Sequence, residues 1–209
     1  YDPRLWPKRS ARWHKRLNRL YTKHTIKKRA TICEGYAWLL TTMCSVVDIP
    51  NEIVYGYART EDHVIGRPFR QNHAWNAVKI NNKWYLTDPT WASGFVNPQF
   101  TRFTKDFDPI YFLVDPGTFI ANHYPVDKSW MLQLQKPTLS EFFNAPIKTS
   151  AFLKNRVVHY APLEGQAVVD RDSLFSFSFT MNNVLKSISA EASIFRNSKY
   201  SSEQLFFTL

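Results

Sequence analysis

The first apolar repeat along the chain has helical spacing. Across residues 9–28, large apolar side chains recur every three or four positions with Arg and Lys between them; they are Trp13, Leu17, Leu20 and Tyr21. Such a pattern gives a helix one apolar stripe and one charged face. We therefore predict an amphipathic, basic helix over residues 9–28, with its apolar stripe packed on the rest of the domain.

A second helical pattern occupies residues 33–47. Its apolar positions form a broad face made of Tyr36, Leu39, Leu40, Met43, Cys44 and Val47. Thr31 stands where a capping side chain is favoured, and Asp48 and Pro50 interrupt the repeat. We predict a helix that begins near Cys33, is capped by Thr31, and ends before Pro50.

The middle of the chain changes to strand patterns. Residues 52–59 (EIVYGYAR) predict a strand, and the polar residues 60–71 predict a loop. Residues 72–80 and 83–91 predict the two strands of a hairpin around Asn81-Asn82, because Asn tolerates the positive φ that a two-residue turn requires. This hairpin is the element on which the candidate chemistry depends.

After about residue 147 the pattern changes again. In LFSFSFTM (174–181) Phe and Met alternate with Ser and Thr, the period of a strand with one buried face, and ISAEASI (188–194) alternates similarly. VVHYAP and EQLFFTL are further strand candidates, and we find no helical period here. We predict a domain at residues 1–147 and a small, β-sandwich-like module at residues 148–209, which is short for a complete sandwich.

Composition and charge add two points. The chain is 44% hydrophobic and 16% aromatic, which supports a buried core, and no stretch approaches the roughly eighteen apolar residues of a transmembrane helix. The net charge is +10, and residues 1–30 contain eleven Lys and Arg but one acid. This excess fits either a solvated helix face or contact with a polyanion. Without a nucleic-acid motif we favour the solvated face.

The chain has two cysteines, Cys33 and Cys44. On one helix they would lie about 16 Å apart at a rise of about 1.5 Å per residue, too far for a disulfide. Cys44 lies within the apolar face and is predicted to be a core thiol. Cys33 lies at the helix N-terminus, where the helix dipole favours a thiolate. A three-ligand metal site made of Cys33, His63 and His73 matches no zinc spacing, so we expect no metal.

The hairpin brings a histidine and a carboxylate to one face. If Asn81-Asn82 is a two-residue turn, Ile80 pairs with Lys83, and Trp75 would lie opposite Asp88 and His73 opposite Thr90. His73 and Asp88 are then diagonal neighbours with Cα atoms roughly 7–8 Å apart. A loop one residue longer or shorter would place them on opposite faces. A base beside an orienting carboxylate is what an activated thiol needs.

The amino-acid sequence of these segments resembles that of a known family. CEGYA (33–37) followed by HAWNAVKINNKWYLTDPTW (73–91) resembles the transglutaminase-like superfamily of papain-related cysteine enzymes. Its pattern runs Cys-x-Gly-aromatic-Ala, His-Ala-Trp-Asn-x-Val, a short turn, then Trp-Tyr-x-x-Asp before Thr-Trp. The segment YFLVDPGTFIANHYPVDKSWMLQLQKP (111–137) is similar to the branch that contains kyphoscoliosis peptidase and its bacterial relatives. The resemblance covers roughly residues 28–146.

The resemblance implies an α+β, papain-like fold in which a nucleophile helix packs on an antiparallel sheet. It assigns Cys33 as nucleophile, His73 as base and then acid, and Asp88 as the residue that orients His73. Neighbouring residues are expected to support the site or line a substrate cleft; they are Gly35, Tyr36, Trp75, Asn76 and Trp91. Gly35 is expected to clear space beside the sulfur. His123 is expected to be a structural or surface histidine.

The function implied is acyl transfer through a thioester, favouring hydrolysis of peptide or carboxamide bonds in a protein or peptide substrate. Two alternatives stay open: a protein-glutamine transglutaminase, and a non-catalytic binding or scaffold module. The chemistry requires no cofactor or metal. A β-sandwich partner and the missing initial Met slightly favour an exported location, and oligomeric state stays open.

Overall fold

Two helices open the part of the chain that the structure describes. This computed structural model describes residues 11–97, 99, 101–154, 157–166, 176, 178–181, 189–196 and 199–208. The helices are α1 (Ala11–Lys28), α2 (Cys33–Val46), α3 (Pro89–Ser93), α4 (Pro116–Phe119), α5 (Leu139–Asn144) and α6 (Ser150–Lys154). Helices α1 and α2 confirm the two helices predicted from the apolar spacing. None of the helices among these residues is long and apolar enough to cross a bilayer.

The strands are β1 (Asn51–Ala58), β2 (His73–Ile80), β3 (Lys83–Thr87), β4 (Gly94–Val96), β5 (Phe103–Lys105), β6 (His123–Pro125), β7 (Val157–Ala161), β8 (Ser178–Met181), β9 (Ser189–Arg196) and β10 (Lys199–Thr208). Four of them form an antiparallel sheet in the order β3-β2-β1-β6. Helix α2 packs on this sheet and against α1. The predicted α+β arrangement of a helix on an antiparallel sheet is confirmed.

The β2–β3 hairpin has the predicted register. Asn81 and Asn82 have φ values of 48° and 62°, so both adopt the left-handed conformation of a two-residue hairpin turn. Ile80 pairs with Lys83, and the pairing continues as far as Asn76 with Thr87. The prediction of further pairs out to residue 91 was wrong, because β3 ends at Thr87. Pro89, which lacks an N–H, instead occupies the first turn of α3.

The buried face of α2 differs from the predicted one. Ala37, Trp38 and Cys44 are buried, whereas Met43 and Val47 are 59% and 61% exposed. Helix α2 is covered from two sides, by α1 and by β2, and the small side chains let both approach closely. Trp38 of α2 stacks on Tyr21 of α1, with ring centroids 6.3 Å apart.

The predicted cap of α2 was also wrong. Ile32, not Thr31, occupies the N-cap position, and no side chain caps this end of the helix. The side chain of Thr31 lies instead over Gly35, where an added Cβ would overlap its Oγ1 atom and would come within 2.8 Å of the Thr25 hydroxyl. Gly35 therefore admits two threonine side chains, and the expectation that it clears space beside the sulfur needs this correction.

The main core lies between the sheet and the segment that follows it. Its buried members are Val54, Trp75, Ala77, Leu86, Val114 and Phe119. Gly56 of β1 is necessary here because a Cβ at that position would overlap the Trp75 ring and the Tyr124 carbonyl. This close contact brings β6 against β1, and the His123 ring of β6 lies near the rings of His73 and Trp75 of β2.

The C-terminal region contains two antiparallel pairs, β7 with β8 and β9 with β10. These strands match the four candidates, although residues 174, 175, 177, 188 and 209 lie outside the described residues. Helix α6 (Ser150–Lys154) was not anticipated in this region. The boundary at residue 147 and the β-sandwich arrangement stay predictions.

Candidate active site

His73 and Asp88 meet at the open end of the β2–β3 hairpin. His73 is the first residue of β2, and Asp88 directly follows β3. His73 Nε2 lies 2.7 Å from Asp88 Oδ2, and the two side chains are 9% and 0% exposed. The predicted register therefore brings this pair together even though the strand pairing itself stops at Asn76. With Nε2 directed to the carboxylate, Nδ1 is the nitrogen left for another group.

Each carboxylate oxygen of Asp88 has a separate set of donors. Oδ1 accepts hydrogen bonds from the backbone N–H groups of Thr90 at 2.8 Å and Trp91 at 3.2 Å, and thereby caps α3. Oδ2 accepts from His73 and faces a second imidazole, that of His123, at 3.2 Å. Asp88 thus joins the end of a strand, the start of a helix and two histidines.

The electrostatics of the site favour an ion pair. Burial lowers the pKa of His73, but the Asp88 carboxylate outweighs it and raises this pKa to about 10. Burial likewise raises the pKa of Asp88, and the two histidines more than offset that and hold it far below its usual range. At neutral pH the described geometry therefore stabilises an Asp88 carboxylate beside a His73 imidazolium.

Cys33 adjoins this pair from the start of α2. A side-chain hydrogen bond and the charge of Cys33 both contribute to raising the pKa of His73. Cys33 is a free, half-buried thiol, whereas Cys44 is free and buried, with its pKa raised by that burial. Cys33 is the first residue of α2, and the N-cap residue Ile32 makes no side-chain capping hydrogen bond to the first-turn N–H groups.

His123 is a residue whose place the sequence did not reveal. It lies in the three-residue strand β6 and is fully buried, with Nε2 directed to Asp88. Burial lowers the pKa of His123 to about 4, against the opposing effect of Asp88. Three residues are too few to show an alternating pattern, and it is the pairing of β6 with β1 that brings His123 to this part of the fold. The expectation of an ordinary structural or surface histidine did not anticipate contact with Asp88.

The side chains of His73, Asp88 and His123 are also of the types that bind metal ions. One ligand atom from each of His73, Asp88 and His123 lies within 4.8 Å of the others, and His63 is not part of this group. A metal here would compete with the hydrogen bonds that join both histidines to the carboxylate. The ring nitrogens of His73 and His123 that face Asp88 and the carboxylate oxygen between them therefore already have hydrogen-bond partners within the group.

The other predicted neighbours take different positions. Trp75 and Asn76 are buried at 1% and 0% exposure. Asn76 donates to the Ala37 carbonyl at 3.1 Å and to the Thr41 hydroxyl at 3.0 Å, and so attaches α2 to β2. Trp91 is half-buried with its ring centroid 5.4 Å from that of His73.

Tyr36 is half-buried in the first turn of α2. The half-buried residues Tyr36 and Trp91 are thus the two of this set still available to contact a substrate. Because Trp75 and Asn76 are buried, they can support the site only through contacts inside the protein.

Comparison with known proteins identifies similar sequences. Residues 8–89 match the model of the transglutaminase-like superfamily. The mouse protein named kyphoscoliosis peptidase is 34% identical over 139 residues, which cover 66% of this chain and 21% of the mouse protein. Its human namesake is 32% identical over 168 residues, which cover 75% of this chain and 25% of the human protein.

Hillarin of Drosophila melanogaster is 31% identical over 152 residues, which cover 66% of this chain and 18% of hillarin. The chain therefore spans about a quarter or less of the length of these curated relatives.

Proposed function

The chain belongs to the transglutaminase-like superfamily, in the branch of kyphoscoliosis peptidase, and on this premise we propose that it is a cysteine-dependent acyl-transfer enzyme. Cys33 is the nucleophile, His73 the general base and acid, and Asp88 the orienting carboxylate. The observation that carries this proposal is the 2.7 Å contact between His73 and Asp88, to which Cys33 is electrostatically coupled.

The first half of the reaction forms a thioester. The Cys33 thiolate attacks the carbonyl carbon of an amide, and the carbonyl π electrons move onto oxygen. The N–H groups in the first turn of α2, which the side chain of Ile32 does not cap, are suited to stabilise that oxyanion. When the tetrahedral intermediate collapses, the C–N bond breaks and His73 gives its proton to the departing amine.

The second half resolves the thioester and restores the enzyme. Water or an amine attacks the thioester carbonyl while His73 accepts a proton, and the C–S bond breaks to release the Cys33 thiolate. Water as acceptor gives hydrolysis, and an amine gives transamidation. The peptidase name of two relatives favours hydrolysis of peptide or carboxamide bonds in a protein or peptide.

Alkylation by iodoacetamide at pH 6 tests the nucleophile. An ordinary thiol with pKa about 8.5 is less than about 1% ionised at this pH, whereas a thiolate paired with an imidazolium is largely ionised. We expect Cys33 to be labelled at least about tenfold faster than Cys44, and His73→Ala to slow the labelling of Cys33 by at least about tenfold while that of Cys44 stays unchanged. Peptide mapping of the labelled chain distinguishes the two cysteines, so Cys44 serves as an internal control. Equal, slow labelling of both would overturn the enzyme proposal.

Turnover is tested with casein and the fluorescent amine dansylcadaverine. New peptide N-termini indicate hydrolysis of peptide bonds, and ammonia released without incorporation of the amine indicates hydrolysis of carboxamides. Incorporation of the amine indicates transamidation, and all of these products should vanish in Cys33→Ala. A reactive Cys33 that neither cleaves nor modifies a panel of denatured proteins would favour the non-catalytic binding module instead.

A further inference from the structure

His123 and His73 approach the same oxygen atom of Asp88. Oδ2 lies 2.7 Å from His73 Nε2 and 3.2 Å from His123 Nε2. A carboxylate only accepts hydrogen bonds, so the nitrogen that faces it favourably must carry a proton. Both imidazoles therefore donate to one oxygen, and these two hydrogen bonds restrict rotation of the carboxylate.

The His123 ring is held at its other nitrogen as well. Nδ1 lies 2.7 Å from Asn122 Oδ1, and Asn122 Nδ2 donates to the Tyr111 hydroxyl at 3.1 Å. The oxygen and nitrogen of an amide have nearly the same shape, so a half-turn of this amide gives Nδ1 a donor and lets the Tyr111 hydroxyl donate to Oδ1. In that arrangement the one proton of a neutral His123 stays on Nε2. All three side chains are buried. The chain from Tyr111 through Asn122 thus fixes the direction in which His123 points.

Aromatic rings enclose His123 on its remaining sides. Its ring centroid lies 4.2 Å from that of Phe119 in a stacked arrangement, 4.6 Å from Trp91 and 5.1 Å from Trp75. The ionisable groups that face it are Asp88, His73 and, through Asn122, Tyr111. Close packing leaves the imidazole one orientation, so its donor to Asp88 is positioned before any substrate binds.

We propose that His123 is a positioning residue for the acyl-transfer site: its Nε2–H holds the Asp88 carboxylate in the orientation that directs His73 toward Cys33. The effect on Cys33 rests on the proposed function, whereas the hydrogen bond from His123 to Asp88 can be tested whether or not the protein is an enzyme. His123 touches neither the sulfur nor a substrate, and it acts through Asp88.

Two substitutions separate positioning from filling of space. His123→Phe keeps an aromatic ring in the enclosure but removes the donor, and His123→Gln offers an amide N–H near the place of Nε2. We expect His123→Phe to slow alkylation of Cys33 at pH 6 by about tenfold or more and to change its pH dependence. His123→Gln should recover most of the rate. A folded His123→Phe chain with the rate and pH profile of the unchanged protein would overturn the proposal, as would failure of His123→Gln to recover any of the rate while folded.

Nitrogen-15 NMR of the histidine rings in the unchanged chain supplies a test that no variant can confound. We expect His123 to carry its proton on Nε2 across pH 5–8 and to show an exchange-protected N–H signal. An unprotonated Nε2 would overturn the proposal. If Cys33 is unreactive but this signal is present, the proposed function fails while the His123–Asp88 contact stands. If Cys33 is reactive but Nε2 of His123 carries no proton, the proposed function stands and the positioning role of His123 fails.

Discussion

His73 and Asp88 are joined through one carboxylate oxygen, Oδ2, whereas the other oxygen of Asp88 caps α3. The cap stabilises the turn that follows β3, and the contact with His73 sets the direction of the imidazole. One side chain therefore has a folding role and a chemical role on separate atoms. Substitutions that keep one oxygen can separate the two roles.

Asp88→Asn should preserve the cap and impair the chemistry. The remaining Oδ1 can still accept from Thr90 and Trp91, and Asn is as good a helix cap as Asp. The amide NH₂ would face His73 and favour the tautomer with its proton on Nδ1, which cannot take a proton from Cys33. We expect the alkylation rate of Cys33 at pH 6 to fall by roughly 10²-fold, toward the rate of an ordinary thiol with a pKa of about 8.5.

The matched variant for that experiment is Asp88→Ala, which removes both roles. It should lose the same reactivity and, in addition, about 0.5–2 kcal/mol of unfolding free energy from the missing cap. Urea unfolding of both variants measures the difference. Equal stability of Asn and Ala variants would contradict the assignment of Oδ1 as the cap.

Folding stability should depend on pH in opposite senses through the two histidines. The folded pKa of His73 is raised to about 10, so its stabilisation is fully present below its unfolded value near 6.5 and is lost as pH rises toward 10. The folded pKa of His123 is lowered to about 4, so the unfolded chain binds an extra proton between about pH 6.5 and 4, and stability falls as pH decreases. We expect the unfolding free energy to be greatest near pH 6.5.

Single substitutions assign the two limbs of that profile. His73→Gln should flatten the loss of stability above pH 6.5, and His123→Gln should flatten the loss between pH 6.5 and 4. Urea unfolding at half-unit pH intervals provides the measurement. An acid limb that is unchanged in His123→Gln would show that the ring is not held neutral by burial.

Local pattern and turn geometry were sufficient to predict the His73–Asp88 pair. The two asparagines fix a two-residue turn, that turn fixes the register, and the register determines which side chains share a face. An Asp before a Pro commonly caps a turn, and Asp88 does cap α3. The capping role and the contact with His73 do not compete, because the carboxylate has two oxygens and each serves one of them.

Features that depend on distant packing were not predictable in the same way. Met43 and Val47 are exposed because α1 and β2 cover other sides of α2, which no periodicity reveals. Thr31 lies against Gly35 rather than capping the helix, because the approach of α1 determines the space there. His123 reaches Asp88 only through pairing of β6 with β1, across 35 residues of chain.

Asn76 should be needed to keep the helix of Cys33 in place on the strand of His73. Its buried amide donates to Ala37 and Thr41 of α2, so Asn76→Ala leaves the Ala37 carbonyl without this donor and opens a small cavity. We expect a loss of about 1–3 kcal/mol in unfolding free energy together with slower alkylation of Cys33. Ser45→Ala is a suitable control, because Ser45 is an exposed residue of α2 that bonds the Thr41 carbonyl. A change in Asn76→Ala no larger than in Ser45→Ala would contradict this role.

The exposed basic face of α1 permits a test of polyanion contact, with heparin as the probe. Its cations recur every three or four residues and therefore share one side of the helix; they are Arg16, Arg19, Lys23 and Lys27. If the face binds anions, heparin affinity should fall steeply with salt, and changing all four to Gln should weaken binding by about tenfold or more at low salt. The matched control removes four positive charges elsewhere, at Arg67, Arg70, Lys79 and Lys83. Equal weakening in both variants would assign the effect to net charge, and absent or salt-insensitive binding would leave α1 as a solvated face.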